Sequence, residues 1–200
     1  YAGGSIAASR ACGEVGIDLG LKSLATLSTG RSVEAPRLYR QSETALATSQ
    51  RARKSKRAKA IHTKVVNRRR DFLHKLSRGL ADEFGLIVVG DVSPLKLART
   101  NMAKSIGDAG WATLRRMLSY KTHWRGGSFL EVSEAYTTQV CSECGALPPS
   151  RPRGIADLGI REWACDCGAV HDRDVNAARN ILRLGLQSLA EGAAQMRSSQ

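Results

Sequence analysis

Leu86-Ile-Val-Val-Gly90-Asp91 is the stretch that decides the fold class. It contains four consecutive apolar residues closed by a glycine and an acid, so a strand here would be apolar on both of its faces. Strands of that kind are typical of parallel sheets covered on both sides. Neighbouring parallel strands need a long crossover connection, which is usually a helix. The stretch therefore predicts an α/β protein.

The elements around this strand are predicted from the spacing of apolar residues. In chain order they are strands at residues 15–20, 23–28 and 32–35, a helical region from about 38 to 81, the strand at 86–90, a helix at 109–124, a strand at 129–132 and a helix beginning near 175. This order matches an RNase H-like α/β fold with a mixed sheet, interrupted by an insertion before its last helix. The predicted units are a core at 13–135, an insertion at 136–170, the last helix at 171–190 and a frayed tail at 191–200.

The charge of the chain indicates its partner. The sequence has 31 Lys and Arg against 18 Asp and Glu, a formal net charge of +13. This excess is typical of proteins that bind nucleic acid, because each neutralised phosphate releases condensed counterions. A membrane partner is not expected, since no stretch reaches the roughly 18 apolar residues of a membrane span. The sequence begins without a secretory signal or an initiator Met, so we expect a cytoplasmic protein and a piece of a longer chain.

Four of the five cysteines lie close together in the predicted insertion. They form two pairs, Cys141-Ser-Glu-Cys144-Gly and Cys165-Asp-Cys167-Gly, separated by 20 residues. In a chain without an export signal this clustering favours metal over disulfides, and the spacing is that of a four-cysteine zinc ribbon. The second pair is one residue shorter than the usual motif, and His171 is the reserve ligand. Four protein ligands would close the site, so the Zn²⁺ is predicted to be structural.

Three acids are predicted to meet at one edge of the sheet. Asp18 ends the first strand, Asp91 ends the buried strand, and Asp174 begins the last helix. Each has an ordinary explanation when taken alone, as a turn or cap residue. Together they indicate a site for two divalent cations, Mg²⁺ or Mn²⁺, which would support phosphodiester cleavage. Asp172 is predicted to act only as a helix cap.

Three segments resemble the TnpB, or OrfB zinc-ribbon, proteins of insertion sequences. The resemblance rests on Gly16-Ile-Asp18-Leu-Gly-Leu-Lys-Ser-Leu-Ala25, on Tyr136-Thr-Thr-Gln-Val-Cys141-Ser-Glu-Cys144-Gly, and on Trp163-Ala-Cys165-Asp-Cys167-Gly-Ala-Val-His-Asp-Arg-Asp174-Val-Asn-Ala-Ala-Arg-Asn-Ile181. It implies a prokaryotic, nucleoid-associated, RNA-guided DNA endonuclease that cuts with a RuvC site and is related to compact type V CRISPR effectors. It also implies partnership with DNA and a guide RNA; the oligomeric state is not implied.

The sequence departs from this family in two respects. The upstream half that helps to hold guide RNA in the family is not part of the sequence. The family's second RuvC motif commonly carries Glu where this chain has Asp91, which is one methylene shorter. Asp91 would then act through a water, which is our preferred interpretation; Glu131 or Glu134, near the following strand, are the alternatives.

A basic stretch in the first helical region is predicted to track phosphates. Residues 51–70 include ten cations and no acid. These are Arg51, Arg53, Lys54, Lys56, Arg57, Lys59, Lys64, Arg68, Arg69 and Arg70. A solvated helix face is the simpler interpretation, but unopposed repulsion at this density favours bound polyanions.

The sequence as a whole predicts a metal-dependent DNA endonuclease fragment directed by guide RNA. The alternatives are a non-cleaving nucleic-acid-binding regulator, which the Asp91 substitution favours, and a decayed transposon remnant. A guide-independent nuclease ranks last.

Overall fold

The computed structural model describes residues 13–91, 110–153, 157 and 159–198. The strands are β1 Gly13–Leu19, β2 Ser23–Leu27, β3 Ser32–Glu34, β4 Phe84–Gly90, β5 Ser128–Val132, β6 Glu162–Ala164 and β7 Val170–Asp172. The helices are α1 Leu38–Arg51, α2 Ser55–Glu83, α3 Trp111–Trp124 and α4 Arg173–Ser198. The sequence Asp91-Val-Ser-Pro also predicts a turn, and residues 92–94 of this stretch fall outside the described residues.

Five strands form one mixed sheet in the order β3-β2-β1-β4-β5. The hairpin strands β1, β2 and β3 pair antiparallel, whereas β1 with β4 and β4 with β5 pair parallel. The prediction of an α/β fold with a buried parallel strand is therefore confirmed. Strand β4 has a parallel neighbour on each side, β1 and β5, because the connections through α1–α2 and through α3 return the chain to the same end of the sheet.

The two faces of the sheet are covered by different helices. On one face Ile87 and Val89 of β4 pack with Leu73 of α2 and Leu114 of α3. On the other face Val88 of β4 packs with Ile181 of α4. Because side chains alternate along a strand, odd-numbered residues of β4 face α2 and α3, and even-numbered residues face α4. The same alternation in β1 places Ile17 with the first face.

Helix α4 lies directly on β1 and β4 because glycines leave room for it. A Cβ at Gly16 would lie 2.1 Å from the carbonyl oxygen of Ala178. A Cβ at Gly185 would lie 2.5 Å from Cγ2 of Val88. Any larger residue at either position would push the helix away from the sheet. These two contacts fix the direction in which α4 crosses the strands.

Two boundaries differ from the sequence prediction. The helical region at 38–81 is two helices, because the chain reverses at residues 52–54, where Arg53 adopts a left-handed φ of 53°. The reversal is held by a bond from the Lys54 amide to the Ser49 carbonyl, and it lets Leu46 of α1 become buried beside α2. The tail predicted to fray from residue 191 is helical through Ser198, since Ala193 and Ala194 favour helix.

Candidate metal centres and basic surface

Asp18 and Asp174 lie on the same side of the sheet. Asp18 is two residues beyond Gly16 on β1, so its side chain points to the face covered by α4. Asp174 lies in the first turn of α4, one helical turn before Ala178, the residue that contacts Gly16. One step of two residues along a strand and one helical turn cover similar distances. The fold therefore brings these two predicted site residues together.

The environment of Asp18 is unfavourable for its negative charge. The pKa of Asp18 is raised to about 7 by burial first and then by the charges of Asp174 and Glu134, while Arg173 opposes them and Asp172 adds a smaller increase. A carboxyl group in this position is half-protonated at neutral pH unless a cation compensates for the surrounding charge. The three carboxylates therefore form a cluster with surplus negative charge, which we call the acid cluster: Asp18, Glu134 and Asp174.

Glu134 joins the acid cluster because residue 90 is a glycine. A Cβ at Gly90 would lie 3.4 Å from Cβ and 3.5 Å from Oε2 of Glu134, and 3.1 Å from Cδ1 of Ile181. The Glu134 carboxylate thus occupies the space into which a side chain at position 90 would project. Burial and the charge of Asp91 raise the pKa of Glu134, and Arg115 lowers it.

Asp91 and Glu131 point to the other face. Asp91 follows Gly90 and therefore has the orientation of Val89, towards α3, and Glu131 pairs in register with Val89. There Nη1 of Arg115 donates to Oδ1 of Asp91 at 2.9 Å and to Oε2 of Glu131 at 3.0 Å. The Asp91 side chain is 64% exposed, whereas that of Arg115 is 13% exposed. Neither Asp91 nor Glu131 contributes to the raised pKa of Asp18.

Two arginines hold the carboxylate of Asp174. Nη1 of Arg161 donates to Oδ2 at 2.9 Å, and Nε of Arg173 donates to Oδ1 at 3.1 Å. Asp172 accepts the amides of Asp174 and Val175 at 3.0 and 2.9 Å, so it caps α4 as predicted, and its charge also contributes to the raised pKa of Asp18. Asp174 is thereby fixed at the edge of the acid cluster. The two arginines were not predicted, because nothing in their local sequence marks them.

The four cysteines predicted as ligands form one site. Their sulfur atoms all lie within 4.8 Å of one another. Cys141 Sγ is 3.8 Å from Cys167 Sγ, and Cys144 Sγ is 3.6 Å from Cys165 Sγ. Tetrahedral Zn²⁺ with Zn–S bonds of about 2.3 Å separates its sulfur ligands by about 3.8 Å. The donor set therefore fits Zn²⁺, and the antiparallel pair β6–β7 carries the second cysteine pair.

His171, the reserve ligand, lies beside the cysteines and is not one of the four. Its Nε2 is 3.1 Å from Cys141 Sγ, and its ring lies 4.7 Å from that of Trp163, between ring centroids. The pKa of Cys141 is lowered to about 6: burial opposes ionisation, and the Cys144 and Glu143 amides together with His171 outweigh it. His171 therefore supports a thiolate from outside the set.

The ten predicted cations lie on the helical hairpin of α1 and α2. Nine of them are exposed, and Arg69 is half-buried beside Gly110. Within the described residues none of those nine forms a salt bridge. An open groove along α2 is lined by Lys56, Lys59, Ala60, Thr63, Lys64, Asn67 and Arg68. We call this surface the basic groove.

In the described part of the chain, no helix is long and apolar enough to cross a membrane.

Comparison with known proteins agrees with this arrangement. Residues 8–101 match the family model described as "Probable transposase", and residues 111–181 match the "Cas12f1-like, TNB domain" model. The fold and the four close cysteines define a mixed α/β protein with an insertion that could hold a metal ion. The two models place the chain more narrowly: it belongs to the TnpB/OrfB family.

Relatives and solved structures are similar over most of the chain. A protein of Streptomyces pristinaespiralis named "Putative RNA-guided DNA endonuclease" is 43% identical over 89% of this chain and 46% of its own length. The Escherichia coli K12 protein InsQ, named likewise, is 32% identical over 89% of this chain and 50% of its own length. The chain thus spans about half the length of these curated relatives. The cryo-EM structure of a Cas12f1–sgRNA–target DNA complex has the same fold, with a TM-score of 0.64 and 18% identity over 84% of this chain and 49% of that chain.

Proposed function

We propose that this chain is the nuclease part of an RNA-guided DNA endonuclease with a RuvC site on an RNase H-like sheet. The observation that carries the proposal is the acid cluster at the carboxyl edge of two parallel strands, which is where sites form in open α/β sheets. The names of the Streptomyces and Escherichia coli relatives support the same activity.

Asp18, Glu134 and Asp174 are proposed as the carboxylate ligands of the catalytic cations. Oxygen donors suit Mg²⁺ or Mn²⁺, and the bound ions would activate water and stabilise the leaving oxygen of a phosphodiester. The raised pKa of Asp18 supports this assignment, because its first causes after burial are the negative charges of the neighbouring Asp174 and Glu134. When no cation is bound, Arg161 and Arg173 neutralise part of the negative charge on the Asp174 carboxylate.

This proposal revises the role of Asp91. The original expectation placed Asp91 with Asp18 and Asp174, with Glu131 or Glu134 as alternatives. Asp91 and Glu131 are both bound to Arg115, and only Glu134 has its charge beside Asp18. We propose that Asp91 acts indirectly, by keeping Arg115 away from Glu134, and that Glu131 shares that role.

The four cysteines are proposed to hold one structural Zn²⁺, and the basic groove is proposed to bind the guide RNA–DNA duplex or a displaced strand. The cations of the basic groove support the second assignment, since they form no salt bridge within the part of the chain that the structure describes. Contacts from such cations to phosphates follow the nucleic-acid backbone without reading its sequence. The structural neighbour is a complex of Cas12f1 with sgRNA and target DNA, which is consistent with both partners.

The alternative is a nuclease-inactive nucleic-acid-binding regulator. The observation in its favour is that Arg115 occupies Asp91, so the second acid position expected of the family carries no free carboxylate. The two functions share the basic groove and the zinc site. They differ only in whether the acid cluster binds divalent cations and cuts.

Cleavage of target DNA tests the proposal. The chain would replace the matching segment of the Streptomyces relative, with that protein's guide RNA and Mg²⁺ supplied. Asp18→Ala and Asp174→Ala are expected to abolish cutting and to leave guide-directed binding largely intact, because they remove metal ligands rather than phosphate contacts. Guide-directed binding without cutting by the unaltered sequence, in either Mg²⁺ or Mn²⁺, would establish the regulator instead.

A further inference from the structure

Two buried asparagines connect the zinc-binding insertion to the helix that carries Asp174. Asn176 and Asn180 lie one turn apart on α4, and each is 1% exposed. Residues this polar are seldom buried so completely unless their hydrogen bonds are satisfied. Both side chains face the segment that leads from β5 to Cys141.

The two amides hold the same two carbonyl oxygens. Nδ2 of Asn176 donates to the carbonyls of Thr137 and Val140 at 3.1 and 2.8 Å. Nδ2 of Asn180 donates to the same pair at 2.8 and 2.7 Å. The four N–H hydrogens of the two side-chain amides are thus matched by the four lone pairs of the two carbonyl oxygens. These four hydrogen bonds fix the turn at residues 137–140 against α4. Among the described residues the Asn180 side-chain oxygen has no hydrogen-bond partner, so the contacts of this amide to the turn are made by its N–H donors.

This turn continues directly to Glu134. The amide and the hydroxyl of Thr137 both donate to the carbonyl of Glu134, at 3.2 and 2.8 Å. The chain of hydrogen bonds therefore runs from α4 through Thr137 to the backbone of Glu134. Asp174 belongs to the same helix, two residues before Asn176. The separation of Glu134 and Asp174 is consequently fixed through this turn.

The zinc site sets the orientation of the first amide. The backbone amide of Ser142, between the first two cysteines, donates to Oδ1 of Asn176 at 2.9 Å. An amide whose oxygen is held in this way must direct its nitrogen at the carbonyls. The insertion is thus joined to the acid cluster through Asn176.

We propose that Asn176 and Asn180 are positioning residues that hold the segment carrying Glu134 on the helix that carries Asp174, and so keep both carboxylates beside Asp18. The inference rests on the proposed function, because it assigns these amides a role at the acid cluster. It predicts that loss of one amide weakens cation binding while the zinc site stays filled. Each carbonyl keeps one donor when a single asparagine is replaced, so the fold is expected to survive.

Mn²⁺ binding by the 200-residue chain, followed by electron paramagnetic resonance, tests the inference. Asn180→Ala is expected to weaken binding roughly tenfold or more, as is typical when residues that orient metal ligands are lost. Zinc content, from elemental analysis, is expected to stay at one per chain. Arg179→Ala is the matched control, because Arg179 joins the same helix to Glu143 at 3.3 Å without touching the turn.

A double substitution separates positioning from general destabilisation. If Asn180 acts through Glu134, Asn180→Ala has little further effect on Mn²⁺ affinity in a Glu134→Gln background. Equal losses in both backgrounds, or unchanged binding by Asn180→Ala and by Asn176→Ala, overturn the inference alone. A wild-type chain that binds no Mn²⁺ at the acids overturns the proposed function and this inference with it.

Discussion

At the scale of single residues, alternation along a strand decides which acids meet. Asp18 shares a face with Gly16, and Asp91 shares a face with Val89, so the two aspartates leave the sheet on opposite sides. These opposite directions could be predicted from the sequence, because the apolar run of β4 shows which of its residues share a face. The expectation that strand ends alone bring acids together was insufficient, because a shift of one residue exchanges the faces.

The stability of the cation-free chain is predicted to depend on Asp18. Its folded-state pKa is raised above the ordinary value, so its contribution to stability is fully present below about pH 4 and is lost as pH rises through about 7. Asp18→Asn mimics the protonated form and removes that loss. We expect the variant to be more stable than wild type by about 2 kcal/mol at pH 8, with little difference at pH 4.

Urea unfolding at the two pH values without Mg²⁺ measures this effect. Asp166→Asn, at an exposed position of the insertion, is the control and should show no such pH-dependent gain. Equal stability of wild type and Asp18→Asn at pH 8 would mean that the Asp18 carboxyl is not in a cluster of uncompensated charge.

At the scale of elements, the sequence predicted the strands and the grouping of the four cysteines better than the helix boundaries. Apolar alternation and cysteine spacing are signals between residues close in sequence, and the structure contains both the predicted strands and the group of four cysteines. The reversal at 52–54 has no local signal, since Ala52, Arg53 and Lys54 are neither glycine nor proline; it follows from the burial of Leu46 against α2. The hydrogen bonds from Asn176 and Asn180 to the turn at residues 137–140 were also not predicted from the sequence. The two asparagines are four residues apart, which puts both on one face of a helix.

The zinc-binding insertion is predicted to unfold locally when a ligand is lost. Structural Zn²⁺ contributes roughly 10–16 kcal/mol apparent in small modules, so Cys144→Ser should release the metal and expose the amides of β6 and β7. Hydrogen exchange is expected to accelerate there, and protection of β1 and β4 should persist. Full protection of β6 and β7 together with the absence of zinc from the wild-type chain would exclude a structural zinc site.

The basic groove is predicted to carry the salt-dependent part of nucleic-acid binding. Each phosphate contact contributes about 0.9 to the slope of log K against log salt on duplex DNA. Replacing Lys59, Lys64 and Arg68 with Gln should therefore lower that slope by about 2 to 3. The matched control replaces Arg40, Lys75 and Arg78, which already pair with acids on their own helices. An equal change in both triple variants would show that only net charge matters.

At the scale of the whole molecule, the sheet, the insertion and α4 form one unit around the acid cluster. Helix α4 touches β1 through Gly16, delivers Asp174 to Asp18, and holds the turn that follows Glu134. The family could be predicted from sequence because it rests on short motifs, and the α/β class because it rests on the order of strands and helices along the chain. The proposed choice of Glu134 over Asp91 could not be predicted, since it depends on the contact between Gly90 and Glu134, which lie 44 positions apart in the chain.

The central claim, that Asp18, Glu134 and Asp174 together bind the catalytic cations, is tested most directly by a Mn²⁺ titration of matched variants. Glu134→Gln and Asp91→Asn each remove one charge and keep the size of the side chain, and their acids lie on opposite sides of residue 90. The 200-residue chain and both variants would be titrated at pH 7.5, with bound Mn²⁺ read by electron paramagnetic resonance. We predict that Glu134→Gln lowers affinity at least tenfold and Asp91→Asn less than threefold. Loss of binding in Asp91→Asn with full binding in Glu134→Gln would contradict the account.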